Sequence, residues 1–162
     1  MGKSSFYLAI EKYGLNKIGV DINNVEKDYA LYHGEKNLIA ISKEVNSEIY
    51  ILAHEFGHYL DEFLKISSNP EIVETYMKER QALIENQSQF ETTRVDYFVS
   101  SNNYHTQNIN GSIEEIVAEI NALLYASTTN TNQELRGEYL QQYFPETFAK
   151  VSKMFTQTTA LK

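Results

Sequence analysis

"YILAHEFGHYLDEF", residues 50–63, sets two histidines four apart, with a glutamate directly after the first, inside an apolar and aromatic run. From about Val45 or Ser47 to Leu64, the residues Ile49, Leu52, Phe56, Leu60, Phe63 and Leu64 gather on one side at about 100° per residue, the period of an α-helix. On such a helix residues four apart lie almost above one another, so His54 and His58 project from one stripe and can offer two imidazoles to a single ion. Glu55 sits about 100° around the helix, where a carboxylate reaches water on that ion without displacing it, as a general base must. Gly57 and Ala53 flank the histidine stripe and leave room for a second element to come close. The bare five-residue pattern arises by chance, and helical histidines often only cap or hydrogen-bond. Here the strong helical period and a preceding hairpin favour a metal site.

Working outward towards the N-terminus, "DYALYHGEKNLIAIS" holds two β-rich runs, Tyr29 to Tyr32 and Leu38 to Ile41, around His33-Gly34-Glu35-Lys36, the pattern of a hairpin. "NKIGVDI" is a candidate strand, and "SSFYLAIEKYG" predicts a short helix that stops at Gly14. Beyond the motif, "SSNP" at 67–70 breaks the chain and "PEIVETYMKERQALIEN" predicts a helix with Pro70 in its first turn. The Ser-, Thr- and Asn-rich run from Gln87 to Gly111 is expected to be a long loop, with a short strand at "RVDYFVS". "SIEEIVAEINALLYAS" predicts a helix with Ser112 as N-cap and Glu115 at the capping-box position. After the polar "TTNTNQE", the tail "LRGEYLQQYFPETFAKVSKMF" is expected to be helical on both sides of Pro145. The fold class that follows is α+β, with a small N-terminal sheet, the motif helix and a second ligand-bearing helix, all in a single domain over residues 1–162.

Composition narrows the chemistry. With 162 residues and 42% hydrophobic content the chain suits one globular domain with a real core. A net charge of −8 argues against nucleic acid or anionic lipid as a partner. The chain has no cysteine, so any metal must be held by histidines and carboxylates. The longest apolar runs, such as "LIAI" at 38–41, are too short for a membrane span, and Phe6 stands where a myristoylation signal needs Ser or Thr. A monomer is the working expectation. The N-terminus shows no basic region followed by a long apolar one, so a secreted location would need a signal upstream of this sequence.

Catalytic zinc takes three protein ligands and leaves a fourth position for water. The third histidine of the metzincin pattern is excluded, because the positions that would carry its Gly and His are Asp61 and Leu64. His33 and His105 are single residues in a turn and a loop, of the kind that is usually solvated. The better source is the second ligand helix, where Glu115 and Glu119 share a stripe with Ala118 and Ala122, opposite Ile113, Ile116, Val117, Ile120 and Leu124. Two such helices facing each other would give a His54, His58, Glu115 site for Zn2+, with Glu119 orienting an imidazole from behind. Glu114 points elsewhere. The competing reading makes Glu115 and Glu119 a solvated face.

"ILAHEFGHYLDEF", "SIEEIVAEINALLY" and "YFPETFAKVSKMF" together resemble the zinc metallopeptidase family of the anthrax lethal factor catalytic domain and the clostridial Pro-Pro endopeptidases, over roughly residues 37 to 155. The resemblance implies a zincin-like fold with zinc ligands at His54, His58 and Glu115, a catalytic base at Glu55, a carboxylate at Glu119 that orients a ligand imidazole, and Asp61 as a buttress for the His58 imidazole. Its members carry an oxyanion-holding tyrosine seven residues before the ligand glutamate. Here that position is Asn108, and Tyr104 or Tyr97 would have to supply the role. "KNLIAISKEVNSEIYILAHEFGHYL" is also similar to the phage-repressor-cleaving and radiation-response metallopeptidases, though Glu119 stands where those have Asn and their Leu-Leu-Met-Pro ending is absent.

The function expected is therefore a zinc endopeptidase acting on a protein or peptide in extended form, which would add as a strand to the sheet edge at Asn37 to Ser42. A secreted, toxin-like or surface-protein-trimming enzyme is the first expectation and a cytoplasmic, regulator-cleaving one the second. A non-catalytic docking module is the alternative from outside the enzymes. It gives no use to Glu55.

Overall fold

A computed structural model describes residues 19–21, 30–42, 48–89, 98, 109–126 and 131–160. The predicted N-terminal helix up to Gly14, as well as Tyr97, Tyr104 and His105, lies outside the described residues. Three short strands, β1 (Gly19–Asp21), β2 (Ala30–His33) and β3 (Leu38–Ile41), form one sheet in the order β1-β3-β2. β2 and β3 make the expected antiparallel hairpin, with Leu31 opposite Ala40 and Tyr32 opposite Ile39. A 3-10 turn over Gly34–Lys36 closes it, and Asn37 takes the left-handed conformation at φ 46°, which Asn tolerates better than most residues.

β1 pairs with β3 in parallel, Gly19 opposite Leu38 and Asp21 opposite Ala40. β3 is therefore the central strand. The sheet edge expected at Asn37 to Ser42 is occupied, because pairing of β1 with β3 fills it, and β2 is the outer strand on the hairpin side.

Among the described residues five α-helices follow: α1 (Glu48–Leu64), α2 (Pro70–Glu85), α3 (Ile109–Tyr125), α4 (Thr131–Tyr143) and α5 (Pro145–Ala160). The mixture of a small sheet and these helices is α+β. One apolar core runs through them, from Ile39 and Ile41 of the sheet through Phe56 and Leu60 of α1 and Ile116 and Ile120 of α3 to Val151 and Phe155 of α5. Among the described residues no helix is long and apolar enough to cross a membrane.

α1 is covered on two sides, by β2 and β3 on one and by α3 on the other. Its expected apolar stripe is buried only in the middle: Phe56 and Leu60 are inside, whereas Ile49 is 55% and Phe63 68% exposed. Length explains this. A 17-residue helix runs about 25 Å, whereas four-residue strands cover about 13 Å, so both ends overshoot the sheet. The helix ends at Lys65, whose φ of 57° and amide bond to the Asp61 carbonyl at 2.7 Å make a left-handed C-terminal cap.

Pro70 opens α2 as predicted, with the Asn69 side chain accepting from the Glu71 amide at 2.9 Å. α3 begins at Ile109, earlier than predicted. Ser112 is therefore inside the helix and buried, not its N-cap, and Glu115 lies beyond the reach of a capping box. Phe98, within the strand expected at 94–100, has helical backbone instead and packs in the core against Phe144 at 5.4 Å. α4 takes up the second half of the polar "TTNTNQE" run, and α5 starts at Pro145, which supplies a ready-made first-turn φ.

Candidate metal centre

α1 and α3 meet most closely at Gly57. A Cβ there would lie 2.6 Å from the Ala118 Cα and 2.9 Å from its carbonyl oxygen, so only glycine lets the two backbones touch. Ala53, Ala118 and Ala122 line the same seam and are buried. The small residues flanking the histidine stripe thus do what their positions predicted: they bring the carboxylates of α3 to the imidazoles of α1.

At this seam one ligand atom each from His54, His58 and Glu115 falls within 4.8 Å of the others, and this is the metal-ligand grouping found among the described residues. The His54 Nε2 is 3.2 Å from Glu115 Oε2, and the His58 Nε2 is 3.5 Å from Glu115 Oε1. The two imidazole rings stand edge to face, 5.0 Å apart at 82°. Glu119 is behind them, nearly fully buried. Its Oε2 accepts from the His54 Nδ1–H at 3.0 Å, and its Oε1 accepts from the Tyr50 hydroxyl at 2.7 Å. Glu114 is exposed, as expected from its place on the helix.

The electrostatics follow from this packing. Burial alone would lower the His54 pKa, but hydrogen bonds to Glu115 and Glu119, with the charges of Glu119 and Glu55, outweigh it and raise the pKa to about 10. His58 goes the other way, down to about 4, because it is buried and faces the His54 charge, against a smaller pull from Glu115. Burial would raise Glu119, yet the His54 bond and charge, the Tyr50 hydroxyl and the Arg136 charge hold it below the ordinary carboxylate range. Glu55 is raised, chiefly by burial, although His54 and the Tyr32 amide pull it down.

The donor set fits an ion of zinc's type. Two imidazoles and a carboxylate, in a chain with no thiolate, are ligands that such an ion takes, and three of them leave a coordination position open. The bond from His54 Nδ1 to Glu119 fixes the ring so that Nε2 faces the other two ligand atoms, the outer-shell arrangement of metal-bound histidines.

Beside the triad lies a cleft of about 490 Å³, lined among others by Tyr32, Glu55, His58, Asp61, Glu62 and Glu115. Glu55 Oε2 accepts from the Tyr32 amide of β2 at 2.7 Å, which ties this carboxylate to the outer strand. Asp61 was expected to buttress His58. Its Oδ1 instead accepts from the Ser67 amide at 2.7 Å and holds the loop after α1, because the left-handed turn at Lys65 brings that amide back over the helix end.

Tyr50 escaped the sequence reading, although it stands four residues before His54 on the same stripe. Its hydroxyl was masked by a ring that suits the apolar face of any helix. Compared with protein-family models, with curated proteins and with solved structures, the chain finds no significant match, and the site stands on its own geometry.

Proposed function

We propose that this protein is a zinc-dependent endopeptidase of the zincin type, with His54, His58 and Glu115 as metal ligands and Glu55 as the general base. The observation that carries the reading is the convergence of three ligand atoms from two helices within 4.8 Å, at the edge of a cleft that also holds an unligated glutamate. A zinc ion held there supplies Lewis acidity, bringing the pKa of water down to about 7 and polarising the scissile carbonyl.

The remaining steps belong to the chain. Glu119 and Tyr50 keep the His54 ring in register. Glu55 takes a proton from the attacking water and returns it to the leaving amine, and its burial supports this by holding its pKa above the ordinary carboxylate value. The extended substrate pairs along β2, the outer strand, rather than along β3. Glu55 is bonded to the Tyr32 amide of that strand, so as it turns towards the water it frees this amide for a peptide carbonyl. The resemblance to the lethal factor and Pro-Pro endopeptidase family agrees with these assignments, as does the protein or peptide substrate it implies.

Cleavage-site profiling on a proteome-derived peptide library tests the proposal. The zinc-loaded protein is expected to cut and the Glu55→Gln protein to be inert. No cleavage by the wild type, or equal cleavage by both, overturns it.

A further inference from the structure

We infer that Asn121 is a positioning residue of the metal centre, an amide that pins α1 and α3 in axial register so that the histidine stripe of one meets the glutamate stripe of the other. Asn121 lies on α3 with 0% exposure, in the small-residue stripe that faces α1. Its Nδ2 donates at 2.7 Å to the carbonyl of Ala53, the residue directly before His54. Its Cβ is 3.0 Å from where a Cβ on Gly57 would stand, so it also fills the space between the two histidines' turns.

The contact of Gly57 with Ala118 sets how near the helices come, but a flat glycine-on-alanine contact resists sliding weakly. A hydrogen bond from a buried amide to one particular carbonyl is directional and does resist it. Sliding matters here because each residue advances a helix by about 1.5 Å, and a shift of that size would break contacts of 3.0 and 3.2 Å between His54 and the two glutamates.

Stability gives a poor account of this side chain. Asn121 Oδ1 is buried with no hydrogen-bond partner, a cost that an apolar residue of the same size would avoid. An amide retained at such a cost between two ligand-bearing helices is explained by what its Nδ2 holds in place.

The inference rests on the metal reading but not on peptidase activity, so the test uses metal and no substrate. Wild-type, Asn121→Leu and Asn121→Ala proteins are titrated with Zn2+ and loaded with Co2+, and their thermal unfolding is followed without metal. Both variants are expected to bind zinc about 10- to 100-fold more weakly and to show altered Co2+ d–d bands, the range typical of outer-shell losses at metal sites. Asn121→Leu should keep the wild-type Tm. Zinc affinity and cobalt spectra unchanged in either folded variant would overturn the inference, as would a lowered Tm with an unchanged spectrum. If the wild type itself takes up no metal, the metal reading falls. The register role is then decided by the downfield His54 Nδ1 proton resonance, kept in wild type and lost in Asn121→Leu if Asn121 holds the register, and kept in both if it does not.

Discussion

The seam between α1 and α3 and the seam between α2 and α5 both carry buried polar side chains, and they use them in opposite ways. Between α2 and α5 the charged groups and the α5 N-terminus find partners that close a helix end or a surface pair, although the Ser152 hydroxyl of α5 is buried with none among the described residues. Glu79 accepts from the Glu146 amide at 2.7 Å, from the Thr147 amide at 3.0 Å and from the Thr147 hydroxyl at 2.6 Å, and so caps α5 from a neighbouring helix. Lys150 pairs with Glu71 at 2.9 Å and donates to Thr75 at 2.8 Å. Beneath them Tyr76 stacks on Phe144 at 5.4 Å. Between α1 and α3 the polar groups point at a shared spot instead: two imidazoles and two glutamates crowd one place, with an orphaned carbonyl beside them. The first seam is what a stable helix pair looks like. The second accepts buried charge at close quarters, a costly arrangement without an ion to organise it.

This contrast breaks if changes in the α1–α3 seam act only on stability, and the largest expected effect tests that. Glu55→Gln keeps the size and burial of the side chain but removes the base, so turnover should fall by about 10²- to 10⁴-fold while bound zinc and Tm stay at wild-type levels, measured by peptide hydrolysis beside metal analysis. A fully active variant would remove Glu55 from the mechanism. Next in size is Glu119→Gln, which keeps an acceptor but loses the charge behind His54. Zinc affinity should drop by about 10- to 100-fold in a competition titration with a chelating dye.

The pH dependence of zinc binding sharpens the same point. In the metal-free protein the His54 pKa is raised to about 10, so at neutral pH the ring carries a proton that the ion must displace. His58, lowered to about 4, carries none. His54 therefore releases one proton per ion, besides any lost by the water on the ion, and affinity should rise at least about tenfold per pH unit from pH 7 to 9 and fall as acid is added. Calorimetry in buffers of different ionisation heat counts that proton, and a count of zero would contradict the bridged His54. The smallest effect belongs to the other seam. Glu79→Ala should cost about 1 kcal/mol of stability by uncapping α5, seen as a lower Tm, with zinc affinity unaltered.

How much of this was legible in the sequence depends on how local each signal is. His54, Glu55 and His58 stand on one helix at fixed spacing, so the sequence alone puts the two histidines on one stripe and Glu55 a step around from it. Glu115 and Glu119 were found by the same logic, four apart among small residues, and Gly57 announced the close approach. The central place of β3 was not legible, because its pairing with β1 is parallel and joins segments that are not consecutive strands, which no hairpin signal announces. Ser112 is a good N-cap by type, but α3 starts a turn earlier in a run with neither period, where residue preference says little. The family resemblance implied a contact between Asp61 and the His58 imidazole. The turn at Lys65 redirected it to Ser67, and a left-handed lysine has no sequence signal. Asn121 and Tyr50 were overlooked for a shared reason: each occupies a position that an apolar residue would fill as well, and only a partner on another helix gives its polar atom a meaning.

X-ray absorption of the zinc-loaded protein, taken together with metal analysis of His58→Ala and Glu115→Ala, tests the central claim most directly. The account predicts one zinc per chain, a first shell of two imidazole nitrogens with carboxylate and water oxygens, and loss of tight binding in both variants. A protein that takes up no zinc, or holds it equally well without His58 or Glu115, would contradict it.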